Sequence, residues 1–148
     1  MEHIQRSVEI SATPEKVFHC IAHLERMGEL SPENTGGEWI RGANGPAVGA
    51  RFKGTNARSG QHWTTLATVT TYLPPTVFAF DVTAGPFKVA HWAYEIEATH
   101  AGCKVTESSV DRRGRFVRLF AKGDGDRAAF TATSIEQTLA NLKAACEA

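Results

Sequence analysis

Hydrophobic and polar positions in this chain follow two periods. From about Gly36 to Asp111 they alternate in short runs broken by glycine and proline, the period-two pattern of strands with one covered face. From about Asp126 to Glu147 the spacing lengthens, and Ile135, Leu139, Leu142 and Cys146 fall at i, i+4, i+7 and i+11 along one helical stripe. A run of antiparallel strands followed by one long amphipathic helix predicts a curved sheet closed around that helix. Such a closure leaves an apolar space between the two, so the pattern predicts a container for a hydrophobic small molecule.

The elements can be placed along the chain. His3 to Ile10 alternates and predicts a first strand. In Ser11-Ala12-Thr13-Pro14-Glu15, Thr13 is a capping residue, Pro14 suits the first helical position and Glu15 favours the positive helix end. Val17, Ile21 and Leu24 continue at helical spacing with Phe18 beside them. The pattern weakens at Met27-Gly28 and breaks at Ser31-Pro32-Glu33, after a short second helix.

Six strands are predicted next. Gly36 to Gly42 holds Trp39 and Ile40, and Ala43-Asn44-Gly45-Pro46 turns the chain. Ala50 to Ala57 sets Phe52, Gly54 and Asn56 on one face, with Arg51, Lys53 and Thr55 on the other. Ser59-Gly60 leads into His62 to Leu73, rich in threonine and β-branched residues, which Pro74-Pro75 ends. Val77 to Thr83 aligns Phe78, Phe80 and Val82. After Ala84-Gly85-Pro86, Phe87 to Ala98 places Ala90, Trp92, Tyr94 and Ile96 on one face and His91, Glu95 and Glu97 opposite. Ala101-Gly102 turns into Cys103 to Asp111. A helical piece from Arg115 to Lys122 and a joint at Gly123-Asp124-Gly125 precede the long helix. No repeat or linker interrupts this order, so one domain over residues 1–148 is expected.

Composition narrows the classes. The 148 residues can bury a sizeable core. Sixteen basic residues balance sixteen acidic ones, so no net positive charge draws the chain to nucleic acid. No apolar run nears the roughly 20 residues that span a bilayer. Met1 to Ile10 lacks a signal-peptide core, so a cytoplasmic location without membrane insertion is expected. Cys20, Cys103 and Cys146 are odd in number and show no Cys-x-x-Cys spacing, against a disulfide framework and a zinc site. No metal and no cofactor are expected. A sheet edge and an apolar N-terminal region leave monomer and homodimer open.

The element order, together with the phrase Val8-Glu9-Ile10-Ser11-Ala12-Thr13-Pro14-Glu15-Lys16-Val17-Phe18, resembles the START-related, birch-pollen-allergen-like superfamily, SRPBCC. Within it the chain is similar to the polyketide cyclase/dehydrase-like branch common in actinobacteria. Glu25 to Glu33, Gly36-Gly37-Glu38-Trp39, Gly45 to Gly54 and Trp92-Ala93-Tyr94-Glu95-Ile96 carry the likeness further, over nearly the whole chain. It implies an α+β helix-grip fold: a curved seven-stranded antiparallel sheet wrapped around a long C-terminal helix, with two short N-terminal helices. It implies less about activity, because that fold hosts cyclases, lipid carriers, hormone sensors and chaperone-like modules. No catalytic motif transfers residue by residue.

Candidate site residues follow from the inner faces. Trp39, Phe52, Trp63, Phe78, Phe80, Trp92, Tyr94, Phe116, Phe120 and Phe130 line a pocket or pack a core, and any one serves equally well in either. Trp92 and Tyr94 stand out, because their polar tips need partners when buried. Asn56 shares a face with Phe52 and can orient a ligand. Glu107 shares a face with Val105 and Ser109: turned inward it is an acid/base or ligand-orienting group, and turned outward, the reading the pattern favours, it is solvated. His62 is placed near the cavity mouth without a defined face. Glu107, Tyr94 and His62 are the catalytic candidates if the chain is an enzyme.

Other motifs carry less. His19 and His23 are four apart but lie opposite the apolar stripe, and no H-E-x-x-H pattern accompanies them. Gly123-Asp124-Gly125-Asp126-Arg127-Ala128 matches a dinucleotide fingerprint only in letters, because no βαβ unit holds it, and it lacks the spaced ligands of a calcium loop. Arg112, Arg113, Arg115, Arg118 and Lys122 surround Phe116, Val117, Leu119 and Phe120; a solvated helix face is favoured there over a contact with an anionic membrane or acidic carrier protein. Three functions stay open: a binding protein for a polyketide-, aromatic- or lipid-like molecule, a cyclase/dehydratase working in the same cavity, and an interaction module.

Overall fold

The computed structural model describes residues 3–114 and 124–148. Seven strands appear: β1 (His3–Ile10), β2 (Asn34–Ile40), β3 (Arg51–Arg58), β4 (Gln61–Leu73), β5 (Val77–Ala84), β6 (Phe87–Thr99) and β7 (Gly102–Asp111). They form one antiparallel sheet in the order β1-β7-β6-β5-β4-β3-β2. Consecutive strands from β2 to β7 are neighbours, and only β1 crosses to the far edge, beside β7. Helix α1 (Pro14–Ala22) and a 3-10 helix (Leu24–Glu29) link β1 to β2, and the long helix α2 (Asp124–Glu147) closes the chain. This is the expected helix-grip arrangement.

Local chemistry explains the boundaries. Thr13 caps α1 by accepting from the Lys16 amide at 3.2 Å, and Pro14 fills the first helical position. Strand β2 begins at Asn34, two residues before the pattern places it. The Asn34 Oδ1 accepts from the Gly36 amide at 2.9 Å, and a bulge between these residues carries the pairing with β3 past the glycines. Gly37 is confined by its neighbours: at φ 147° a Cβ there would sit 2.1 Å from the Lys53 carbonyl oxygen. Helix α2 starts at Asp124, so Gly125 lies inside it and not in a joint. The expected helical piece from 115 to 122, and Gly123, lie outside the described residues.

The helix stripe read from the sequence is the centre of the core. Ile135, Leu139, Leu142 and Cys146 are all buried, packed with Val17 and Ile21 of α1 and with the inner faces of β1 and β7. Burying each large aliphatic side chain is worth about 1.5–3 kcal/mol. On the sheet, Phe52 and Gly54, then Phe78 and Phe80, then Ala90, Tyr94 and Ile96 turn inward, as the alternation predicts.

One feature of α2 decides the interior. The turns of α2 facing α1 present large apolar groups. A second stripe beside them presents Thr131, Ser134 and Thr138, also buried, toward a cavity. Those short side chains cannot reach across to β3–β7, and α1 does not extend over this end. A space is therefore left under the first half of the helix.

Candidate functional site

That space is a cavity of about 700 Å³ between the sheet and α2. Phe52, Ala67, Phe80, Val82, Ala90 and Trp92 supply its apolar wall from the sheet, and Ile4 adds to it from β1. Leu24 and Met27 of the 3-10 helix supply another side. Asn56, Thr65, Tyr94, Glu107 and Ser109 add polar groups on the sheet, and Thr131, Ser134 and Thr138 add hydroxyls from α2. The volume falls within the range of small-molecule sites, and the mixture of apolar walls with few polar groups is typical of them.

Register brings the most unusual pair together. The β6–β7 hairpin sets Tyr94 directly opposite Glu107, on the face that β6 turns inward. The Tyr94 hydroxyl donates to Glu107 Oε2 at 2.8 Å. Glu107 Oε1 is buried and has no hydrogen-bond partner among the described residues. Glu107 as a whole is 3% exposed. Burial pushes its carboxyl up to about 8, against a smaller downward pull from the Tyr94 hydrogen bond. Burial also raises Tyr94 well above its ordinary value, and the charge and hydrogen bond of Glu107 add to this. At neutral pH the site therefore holds a neutral carboxylic acid and a neutral phenol. The outward reading of Glu107 does not hold, because β7 pairs through Val105, Glu107 and Ser109 with the inward residues Ile96, Tyr94 and Trp92.

A clasp stands at one end of the cavity. Arg127 of α2 donates to both carboxylate oxygens of Glu33, at 2.8 and 3.0 Å. Phe130, one helical turn on, lies under the Arg58 guanidinium at 3.8 Å and near that of Arg127 at 5.3 Å. Arg58 comes from the end of β3, so this cluster joins the β3–β4 hairpin, the segment before β2 and the long helix. Farther round, Arg113 grips Asp111 through Nε and Nη2, at 3.0 and 2.8 Å.

The sequence candidates distribute unevenly around this geometry. Phe52, Asn56, Trp63, Phe80, Trp92 and Tyr94 line the cavity, as does Phe130. Asn56 is held by donating to Thr65 Oγ1 at 3.0 Å. Trp39 lies outside the lining: it packs on Phe52 with centroids 5.3 Å apart and donates its indole N–H to Glu25. Phe78 is fully buried among Phe18, Tyr72 and Phe80, in packed core. His62 is exposed, because Trp63 beside it takes the inward face opposite Asn56. Phe116 and Phe120 lie outside the described residues. Of the basic segment, Arg112 reaches Asp81 at 3.1 Å, and Asp81 also binds His91 at 2.6 Å on the outer face.

Sequence reasoning missed the hydroxyl stripe on α2 and the Glu33–Arg127 clasp. Thr131, Ser134 and Thr138 repeat at i, i+3 and i+7, a helical spacing beside the apolar stripe, and that periodicity was a readable signal. The clasp joins residues 94 positions apart and leaves no local trace.

Comparison with known proteins fits this geometry. The family described as "Polyketide cyclase / dehydrase and lipid transport" matches residues 1–147. Among solved structures, the Polyketide_cyc-like protein Cgl2372 from Corynebacterium glutamicum is 28% identical, with TM-score 0.61 over 95% of this chain and 88% of that one. Ara h 8.0201 shares the fold at TM-score 0.71 and 15% identity, over 98% of this chain and 97% of that one. StfQ, a di-domain ARO/CYC from the steffimycin biosynthetic pathway, gives TM-score 0.78 at 10% identity over 98% of this chain. The chain spans half the length of StfQ, covering 50% of it. A search of curated proteins finds no match.

Proposed function

The chain belongs to the polyketide cyclase/dehydrase and lipid transport family, and we propose that it binds a hydrophobic small molecule, polyketide-, aromatic- or lipid-like, between its sheet and C-terminal helix. The cavity of about 700 Å³ is the observation that carries this reading. Its aromatic wall supplies affinity by apolar burial, and its few polar groups orient the guest. Native mass spectrometry of the purified protein, with organic extraction of any bound molecule, tests it. A stoichiometric hydrophobic adduct supports the reading. A protein that stays free of adduct and takes up none of a panel of polycyclic aromatics and fatty acids rules it out.

Trp92 is the residue to remove first. It is half-buried, lines the cavity and packs against the core. Trp92→Ala is expected to weaken aromatic ligands by about 10- to 100-fold, from the loss of roughly 1.5–3 kcal/mol of apolar contact. Fluorescence titration with a polycyclic probe measures it, and unchanged affinity would remove Trp92 from the binding surface.

The neutral acid at Glu107 favours a second reading, a cyclase/dehydratase acting in the same cavity. A carboxylic acid beside a bound β-hydroxyketone can protonate the leaving hydroxyl, and the carboxylate so formed can take the α-proton as the C–O bond breaks, the C=C bond forms and water departs. Glu107→Gln is then expected to abolish product formation from a poly-β-ketone substrate mimic while leaving its binding intact. Full retained turnover, followed by liquid chromatography, would exclude Glu107 as the acid.

A further inference from the structure

The two oxygens of Glu107 have different surroundings. Oε2 accepts from Tyr94, whose hydroxyl has only one proton to give. Oε1 is buried and has no partner among the described residues. A buried oxygen without a partner loses its hydration with nothing in exchange, and native interiors rarely tolerate it without a purpose. Glu107 is among the residues lining the cavity, so a guest there is the partner that a turn of the side chain would reach.

The charges around the carboxyl say what that partner is. Tyr94 from β6 is the titratable group in contact with it. Arg6, opposite Glu107 in the β1 register, is occupied by Glu136 of α2 at 3.1 Å. Along β7, Asp111 holds Arg113, and at the clasp Arg127 holds Glu33. From α2, Thr131, Ser134 and Thr138 bring hydroxyls and no charge to the cavity. Among the described residues no cation contacts Glu107, so the carboxyl stays protonated there, with Oε2 accepting and Oε1 left as the O–H donor. A donor without an acceptor calls for an acceptor. Arg58 of β3, also in the lining, stacks on Phe130. Among the described residues no cation contacts the carboxyl to hold an anionic guest there, and a cationic guest would require two ions to be buried together.

We propose that the cavity selects neutral ligands bearing a ketone- or quinone-type carbonyl, and that Glu107, as a carboxylic acid, donates through Oε1 the hydrogen bond that fixes the carbonyl oxygen. Glu107 is then a specificity-determining residue, and the apolar walls hold the remainder of the guest. The assignment rests on the ligand-binding reading above. It also carries a pH signature. Burial holds the carboxyl at about 8, so the donor is present below that pH and lost above it.

A set of three probes on one skeleton tests this: 2-acetylanthracene, 2-ethylanthracene and 2-(aminomethyl)anthracene, titrated by fluorescence into wild type, Glu107→Leu and Glu107→Gln. In wild type at pH 6.5 the ketone is expected to be preferred to the hydrocarbon. That preference is expected to fall about tenfold in Glu107→Leu, the worth of one hydrogen bond in a dry site. Glu107→Gln keeps an N–H donor at every pH, so it retains the preference, whereas wild type loses it between pH 7 and 9. The infrared carbonyl stretch of the ¹³C=O-labelled ketone in wild type gives a readout independent of how the variants fold. It is expected to lie at lower frequency at pH 6.5 and return toward its apolar-solvent value at pH 9.5. Equal binding of ketone and hydrocarbon with no infrared shift would overturn the inference and leave cavity binding standing. Preference for the amine would replace the carbonyl by a cation. Failure of all three probes to bind wild type would overturn the binding reading and this inference with it.

Discussion

Glu107→Gln is expected to make the protein more stable, by an amount that grows with pH. In the folded chain burial holds the carboxyl at about 8, against an ordinary value of 4.5. Between those values the folded state keeps a proton that the unfolded chain has already released. Folding then takes up a proton, so stability falls as pH rises. One such group gives a slope of about 1.4 kcal/mol per pH unit. Over the whole window the loss comes to roughly 5 kcal/mol, and at pH 7 to roughly 3 kcal/mol. The stability is fully present below the unfolded value, and the loss is complete above the folded one. Glutamine has the same shape, stays neutral, and can accept the Tyr94 hydrogen bond through its amide oxygen. Tyr94 itself is pushed upward, so it stays neutral across this range and adds no slope of its own. Urea denaturation of wild type and variant from pH 4 to 9 measures the effect. The two curves of stability against pH are expected to meet near pH 4 and separate by several kcal/mol at pH 8. Parallel curves would mean that Glu107 ionises as freely in the fold as in water, and would remove the basis for a neutral acid in the cavity.

The contrast between Glu107 and the long helix shows what the sequence carries. Ile135, Leu139, Leu142 and Cys146 were legible because their burial is decided by one period within one element. The inward faces of β3, β5 and β6 were legible in the same way, through aromatic residues that water disfavours. Glu107 was not, because a carboxylate in an alternating strand reads as surface, and its direction depends on which residue of β6 it faces. The register of the β6–β7 hairpin contains that answer, since the turn before Gly102 places Glu107 opposite Tyr94. Trp39 and Phe78 show the converse limit. Alternation places an aromatic on a face but does not separate a cavity wall from packed core, a distinction made by α1 and the 3-10 helix, which cover Phe78 and Trp39 respectively. His62 failed for want of a phase: strand β4 is polar at its start, and only its pairing with β3 turns Trp63 inward.

The two faces of α2 are expected to answer substitution in opposite ways. Leu142 is fully buried against α1 and the sheet, where packing is complete. Leu142→Ala leaves a hole that its neighbours can only partly close, and a cost of about 3–5 kcal/mol is expected. Ser134 stands about two turns earlier on the same helix, is also buried, and faces the cavity. Added volume at a packed position strains the core, but beside a cavity it has room to extend. Ser134→Leu is therefore expected to leave stability unchanged or raise it by about 1 kcal/mol, through new apolar burial and the loss of a hydroxyl from the middle of a helix. The same side chain occupies ligand space, so affinity for a polycyclic probe is expected to fall at least tenfold. Urea denaturation and probe titration on the two variants give both quantities. A destabilised Ser134→Leu would mean that the helix packs tightly on the sheet along its whole length. Stability that holds while binding is lost would separate the part of the helix that maintains the fold from the part that receives the guest.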